Sequence, residues 1–221
     1  MAPIITHFTI RLAFQQSTVV RVLADSSRTE LDTHADTCVV GSNYLVIHEY
    51  DRYVTVTGYD SKQGSVKDLK VVGEVIAYDC PQTGEVIIIR INQTIHIRSM
   101  SNNLMCSMQI RMNDIKVFDC PKFLIENPEN HDHTLTLPRG NGEDYKIPLS
   151  LHGVTSYFST RKPTQVEYDK SENKRLTVHL TYHSPEWEPH SETFSNQEDV
   201  AQKTVDIDSL FVNRLFCSIV N

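Results

Sequence analysis

Glu30-Leu31-Asp32-Thr33-His34-Ala35-Asp36-Thr37 is the stretch on which the reading of this chain turns. A β-like lead-in runs into it, and Cys38-Val39-Val40-Gly41 follows it. Read locally, the segment is open to two interpretations. On a regular strand, residues 32, 34 and 36 share one face. Two carboxylates and an imidazole there suit Zn or Mn, and a metal-dependent hydrolase using Asp32, His34 and Asp36 would follow. The plainer local reading of Asp32 is a turn aspartate after a strand. His131-Asp132-His133 adds imidazoles, but no HExxH, HxxE or paired-cysteine spacing completes a metal site. Those histidines read as surface residues, and no cofactor or metal is expected.

Outward from this segment the chain is β-rich to about residue 118. Val, Ile, Thr and Tyr dominate the runs Phe8 to Phe14, Val19 to Leu23, Tyr53 to Thr57, Leu69 to Tyr78, Glu85 to Ile91 and Thr94 to Ile97. Tyr59-Asp60-Ser61-Lys62-Gln63-Gly64 and Pro81-Gln82-Thr83-Gly84 have the composition of hairpin tips. Leu104 to Ile115 breaks the pattern, because its apolar residues at 104, 105, 108, 112 and 115 fit a helical period. One short helix is predicted there, with Asn102 or Asn103 as its cap. The methionines at 105, 108 and 112 read as core.

Past Pro121 a polar, proline-containing stretch suits a connection. Strand-like runs resume at Thr134 to Leu137, Lys146 to Leu151, Val154 to Phe158 and Leu176 to Tyr182. Ser184 to Asp199 is polar and acidic and reads as a loop or irregular arm, with Trp187, the single tryptophan, as its packing anchor. A last helix is predicted over 207 to 214. Arg161-Lys162 reads as a short solvated basic pair.

Composition narrows the function classes. The 221 residues are 39% hydrophobic with a formal net charge of -7, which is ordinary globular composition. That acidic balance argues against a nucleic-acid partner. Met1 to His7 lacks a cationic region followed by an apolar run, so no secretory leader is expected. No apolar stretch is long enough for a membrane helix. Five cysteines with irregular spacing read as free, mostly buried thiols of a reducing compartment. An intracellular, cytoplasmic location follows. Asn92-Gln93-Thr94 matches the glycosylation sequon and is read as chance.

Leu31-Asp32-Thr33-His34-Ala35-Asp36-Thr37 resembles the hydrophobic-Asp-Thr-Gly-Ala-Asp-Thr loop of retropepsin-like aspartic proteases. About 70 residues on, Asn103-Leu104-Met105 stands where copia-type retrotransposon proteases have Asn-Leu-Leu before their closing helix. The resemblance covers roughly residues 20 to 118. It implies a mainly β, retropepsin-like acid-protease barrel over residues 1–120, with one short helix. Residues 121–221 would form a β-rich C-terminal extension of unassigned role. Gly153 to Thr164 is also similar to segments that follow such loops in retroelement reading frames.

The resemblance further implies a homodimeric endopeptidase that cleaves a peptide or polyprotein substrate and uses no cofactor. Two Asp32 carboxylates, one per chain, would share a proton and activate a water. Thr33 would bond across the two-fold axis. His34, Ala35 and Asp36 would line the substrate, and Gly58 and Tyr59 would belong to a flap that closes over it. Position 34 departs from the family, with His in place of Gly. An inactive or repurposed fold that still binds peptides is the alternative reading.

Overall fold

The computed structural model describes residues 10–12, 27–58, 64–139, 143–174 and 176–204. The predicted strand over Val19 to Leu23, the predicted helix over 207 to 214, Tyr59 and Cys217 lie outside them; of Phe8 to Phe14, only Ile10–Leu12 is described. The chain divides into two units, residues 1–187 and 188–221.

The first unit is mainly β. Its strands are β1 (Ile10–Leu12), β2 (Ser27–Asp32), β3 (Val39–Val40), β4 (Leu45–Gly58), β5 (Ser65–Asp79), β6 (Val86–His96), β7 (Asn103–Cys106), β8 (Lys116–Phe118), β9 (Thr134–Leu137), β10 (Tyr145–Pro148), β11 (Ser150–His152), β12 (Thr155–Thr160) and β13 (Val178–His179). The main sheet runs β1-β4-β5-β6-β3-β7-β2-β12-β11, with β13 parallel to β6. β8, β9 and β10 form a small second sheet. The closed barrel expected from the sequence is not formed: among the described residues the main sheet stays an open path. Three strands from beyond residue 120, namely β11, β12 and β13, belong to it.

The centre of this sheet is a long meander whose composition explains it. β5 and β6 pair from Val71↔Ile95 to Asp79↔Val86. The tight turn between them needs Gly84 at φ +70, a left-handed angle that side chains with a Cβ reach at a cost. Ile87, Ile88, Ile89 and Ile91 of β6 are all buried, so the strand is covered on both faces. Val75, Ala77 and Ile88 form one buried cluster, packed by Leu45, Ile47 and Tyr168. Tyr168 comes from helix α2 (Gln165–Lys174), which covers that face.

A capping box starts α2. Thr164 Oγ1 accepts from the Glu167 N–H at 3.2 Å, and Glu167 accepts the Thr164 N–H at 2.8 Å. Arg161 is not the solvated cation the sequence suggested. Its guanidinium bridges Asp79 of β5 and Glu167 of α2, with contacts of 2.8 Å to each. This pairing holds the Glu167 carboxyl down to about 2.

The helical reading of Leu104 to Ile115 is corrected. Asn103–Cys106 is a strand, and helix α1 spans only Ser107–Arg111. Cys106 caps it, its sulfur accepting the Gln109 N–H at 3.3 Å. The apolar stripe does not face the core as a unit, since Met105 and Ile115 are buried while Met108 and Met112 are nearly half exposed. Strand pairing with both neighbours outweighs helix propensity at 103–106.

The second unit contains helix α3, residues 192–204, where an irregular arm was expected. Ser191 sits at its N-terminus and accepts the Thr193 N–H at 3.3 Å. Among the described residues no helix is long and apolar enough to cross a membrane.

Candidate active site

β2 ends at Asp32 and β3 begins at Val39, but the two strands do not pair with each other. β7 lies between them. It runs parallel to β2, with Asp32 opposite Cys106, and antiparallel to β3, with Val39 opposite Leu104. Residues 33–38 therefore form a loop whose two feet stand on one central strand. None of residues 33–38 is strand: 33 and 34 form a turn and 36 and 37 a bend. The alternation needed to put Asp32, His34 and Asp36 on one strand face is absent, so that metal-site reading is corrected. No group of three or more metal-binding side chains occurs among the described residues.

Asn103 explains the second motif. Its buried side chain accepts the Gly41 N–H at 3.0 Å and donates to Thr29 Oγ1 at 3.1 Å, stapling the strand before the loop to the residue after β3. Thr29 in turn bonds Thr160 of β12 at 2.7 Å. Gly41 is required by space, because a Cβ there would lie 2.4 Å from the Met100 carbonyl oxygen.

Within the loop, Asp32 is mostly covered, its side chain 16% exposed. Its Oδ1 accepts the backbone N–H of His34 at 2.8 Å. The His34 ring is 77% exposed, with Nδ1 3.9 Å from the same oxygen. His34 is not among the positive-φ residues, so a side chain at this position carries no left-handed strain. Thr33 is exposed, and its hydroxyl lies 3.4 Å from His34 Nδ1. Within the loop Ala35 is buried and Asp36 is half-buried. The structure thus brings residues 32–36 together. Gly58 ends β4 and pairs with Leu12 of β1.

Several residues that hold the loop escaped the sequence reading. Gln109 of α1 accepts the Cys38 N–H at 2.8 Å and donates to the Gln93 carbonyl at 3.3 Å. Gln93 sits on a bulge of β6, at φ +54, where the β5–β6 register shifts. Asn92, the sequon asparagine, is buried and donates to the Thr181 carbonyl at 2.7 Å. Trp187 Nε1 donates to the Asp36 carbonyl at 3.0 Å and to Thr37 Oγ1 at 3.2 Å. A lone tryptophan between Pro185 and Pro189 was the one visible signal for this set. Buried amides leave no trace in composition.

Two thiols flank the loop. The Cys38 sulfur accepts the Cys106 N–H at 3.3 Å. Burial pushes both thiols up, Cys106 to about 11, with the Asp36 and Asp32 carboxylates adding to the effect on Cys106. Both remain uncharged, and neither is a nucleophile at ordinary pH. The described cysteines are free: 38, 80 and 106 are buried and 120 is exposed.

No family model, no curated protein and no solved structure matches this chain.

Proposed function

We propose that the chain is a retropepsin-like aspartic endopeptidase of retrotransposon origin. It works as a homodimer in which Asp32 of each copy supplies half of a catalytic dyad. The observation that carries this reading is the Asp32 loop. A carboxylate closes a strand, accepts the N–H two residues on, and rests on a loop braced on both feet by β7. A dyad needs this rigidity, because two like charges hold a shared proton only at a fixed short distance.

Three further observations support it. The His34 ring points largely into solvent while its N–H still serves Asp32, so the departure at position 34 leaves the carboxylate's hydrogen bond intact. Thr33 stands exposed beside Asp32, where a second copy's loop would meet it. β4 and β5 form a long hairpin, with Thr57 opposite Ser65 near its tip, which suits a flap over an extended peptide.

In the mechanism that follows, one Asp32 carboxylate takes a proton from water as it attacks the scissile carbonyl. The other, protonated, gives its proton to the carbonyl oxygen. The exchanged proton then goes to the leaving amine. Activity therefore needs one carboxyl protonated and one ionised, and its pH profile is bell-shaped on the acid side of neutrality. Purified full-length chain is expected to cleave members of a random peptide library between acid and neutral pH. A library left intact across that range sinks the peptidase reading and leaves a peptide-binding fold in its place.

A further inference from the structure

The loop that bears Asp32 is held at its feet by strand pairing, but its middle has no ladder to lean on. The side chain of Trp187, from far along the chain, reaches that middle. The indole N–H of Trp187 is shared between the Asp36 carbonyl and the Thr37 hydroxyl, at 3.0 and 3.2 Å. Trp187 is itself buried and fixed. Its N–H donates to Gln93 Oε1 at 2.7 Å.

The segment leading to Trp187 is tied to the same bulge of β6. Gln93 Nε2 donates to the carbonyls of Tyr182 at 3.1 Å and Pro185 at 2.8 Å. Thr181 Oγ1 both accepts the Asn92 N–H and donates to the Asn92 carbonyl, each at 2.7 Å. Arg52 of β4 bonds Gln93 at 3.3 Å and pairs with Glu186. The bulge is what makes this possible. It inserts an extra residue opposite Gly73, where a Cβ would come within 3.1 Å of Asn92 Oδ1, and presents two consecutive amides to the arm.

We propose that Trp187 is a positioning residue for the Asp32 loop, set by residues 181–187 and acting through its indole N–H on Asp36 and Thr37. The arm beyond β13 is then part of the active-site scaffold rather than an appendage. A bifurcated donor on a loop backbone fixes its height above the sheet, and small displacements of a catalytic group cost large factors in rate. The catalytic consequence rests on the peptidase reading; the bracing of the loop does not.

The test uses the full chain carrying Trp187→Phe, which keeps an aromatic ring and removes the donor together with part of the ring's volume. Amide exchange at residues 33–38 is expected to quicken by about 10-fold or more, with the β5–β6 amides unchanged. Against a cleaved peptide, kcat is expected to fall about 10- to 100-fold while KM stays within about threefold, since the loop sets the chemistry more than the groove. Thr37→Val removes one acceptor and leaves the indole in place. It is expected to speed exchange of the single indole N–H, which gives one resolved signal in a chain with one tryptophan.

A folded Trp187→Phe protein with wild-type exchange at 33–38 overturns the proposal. So does an indole N–H that exchanges at the rate of free tryptophan in the unmodified chain, a measurement that needs no variant. Loss of kcat and KM in equal measure would also count against a positioning role. If the unmodified chain cleaves nothing, the peptidase reading fails while the exchange data still decide the brace.

Discussion

Asp32→Asn is expected to lower kcat for peptide hydrolysis by about a thousand- to ten-thousand-fold, the upper range for removing a positioned acid–base group. The substitution is close to isosteric. The asparagine oxygen can still accept the His34 N–H now taken by Asp32 Oδ1 at 2.8 Å. The loop's feet on β7 and its bond to Trp187 do not involve the carboxylate. Thermal unfolding should therefore shift little while turnover collapses, and peptide affinity should survive. The variant also loses the acid-side bell of the pH profile, because no shared proton remains. A variant that keeps wild-type turnover would remove Asp32 from the chemistry.

The second large effect is on stability. Glu74 lies in β5 with no exposed surface, and neither carboxyl oxygen has a hydrogen-bond partner among the described residues. Burial alone raises its proton affinity well above that of an ordinary carboxyl. Among the described residues Cys38 and Tyr44 feel its charge and are themselves pushed up, burial being the largest cause in each. Among the described residues burial is the one cause acting on Glu74, and it favours the protonated carboxyl in the folded chain.

The sign of the pH dependence follows. The unfolded chain gives up this proton near an ordinary glutamate's value, roughly pH 4.3, while the folded chain keeps it. Above that pH the folded state binds one more proton than the unfolded state. Stability then falls as pH rises, by about 1.4 kcal/mol per pH unit from this group, until Glu74 itself ionises in the fold. The stabilising condition is acid, the same side on which the proposed dyad works.

Glu74→Met has a similar shape and no polar atoms. It is expected to raise stability by about 1–3 kcal/mol even at pH 4, where only the buried polar group is removed. The gain should grow at neutral pH, where the linkage penalty also disappears. Glu74→Gln should flatten the pH dependence but keep the cost of an unpaired polar group. Denaturant midpoints at acid and neutral pH measure both. A Glu74→Met protein that is less stable at both pH values would contradict this account of the core.

What the sequence revealed and what it hid have separate physical causes. The break between β2 and β3 has a local signal, a polar run set between β-rich segments. The Val- and Ile-rich strands β5 and β6 were legible for the same reason. Leu104 to Ile115 misled because its apolar spacing fits a helix, whereas Asn103 and its three neighbours are claimed by β2 and β3 on either side. That competition is tertiary and leaves no local mark. Helix α3 was missed because it is polar along its length, so no period emerges. Gln93, Gln109 and Trp187 were missed as a set because they join residues 16 to 151 positions apart. Glu74 is one polar residue within the run Leu69 to Tyr78, and burial on both faces of β5 is what makes it costly.

The central claim is that one active site takes Asp32 from two chains, and subunit mixing tests it most directly. Wild-type chain mixed and re-equilibrated with an equal amount of Asp32→Asn chain is expected to keep about one quarter of the starting peptidase activity per total chain, since only wild-type pairs carry both aspartates. Retention of about one half, with activity linear in the wild-type fraction, would show that each chain acts alone and would contradict the dyad.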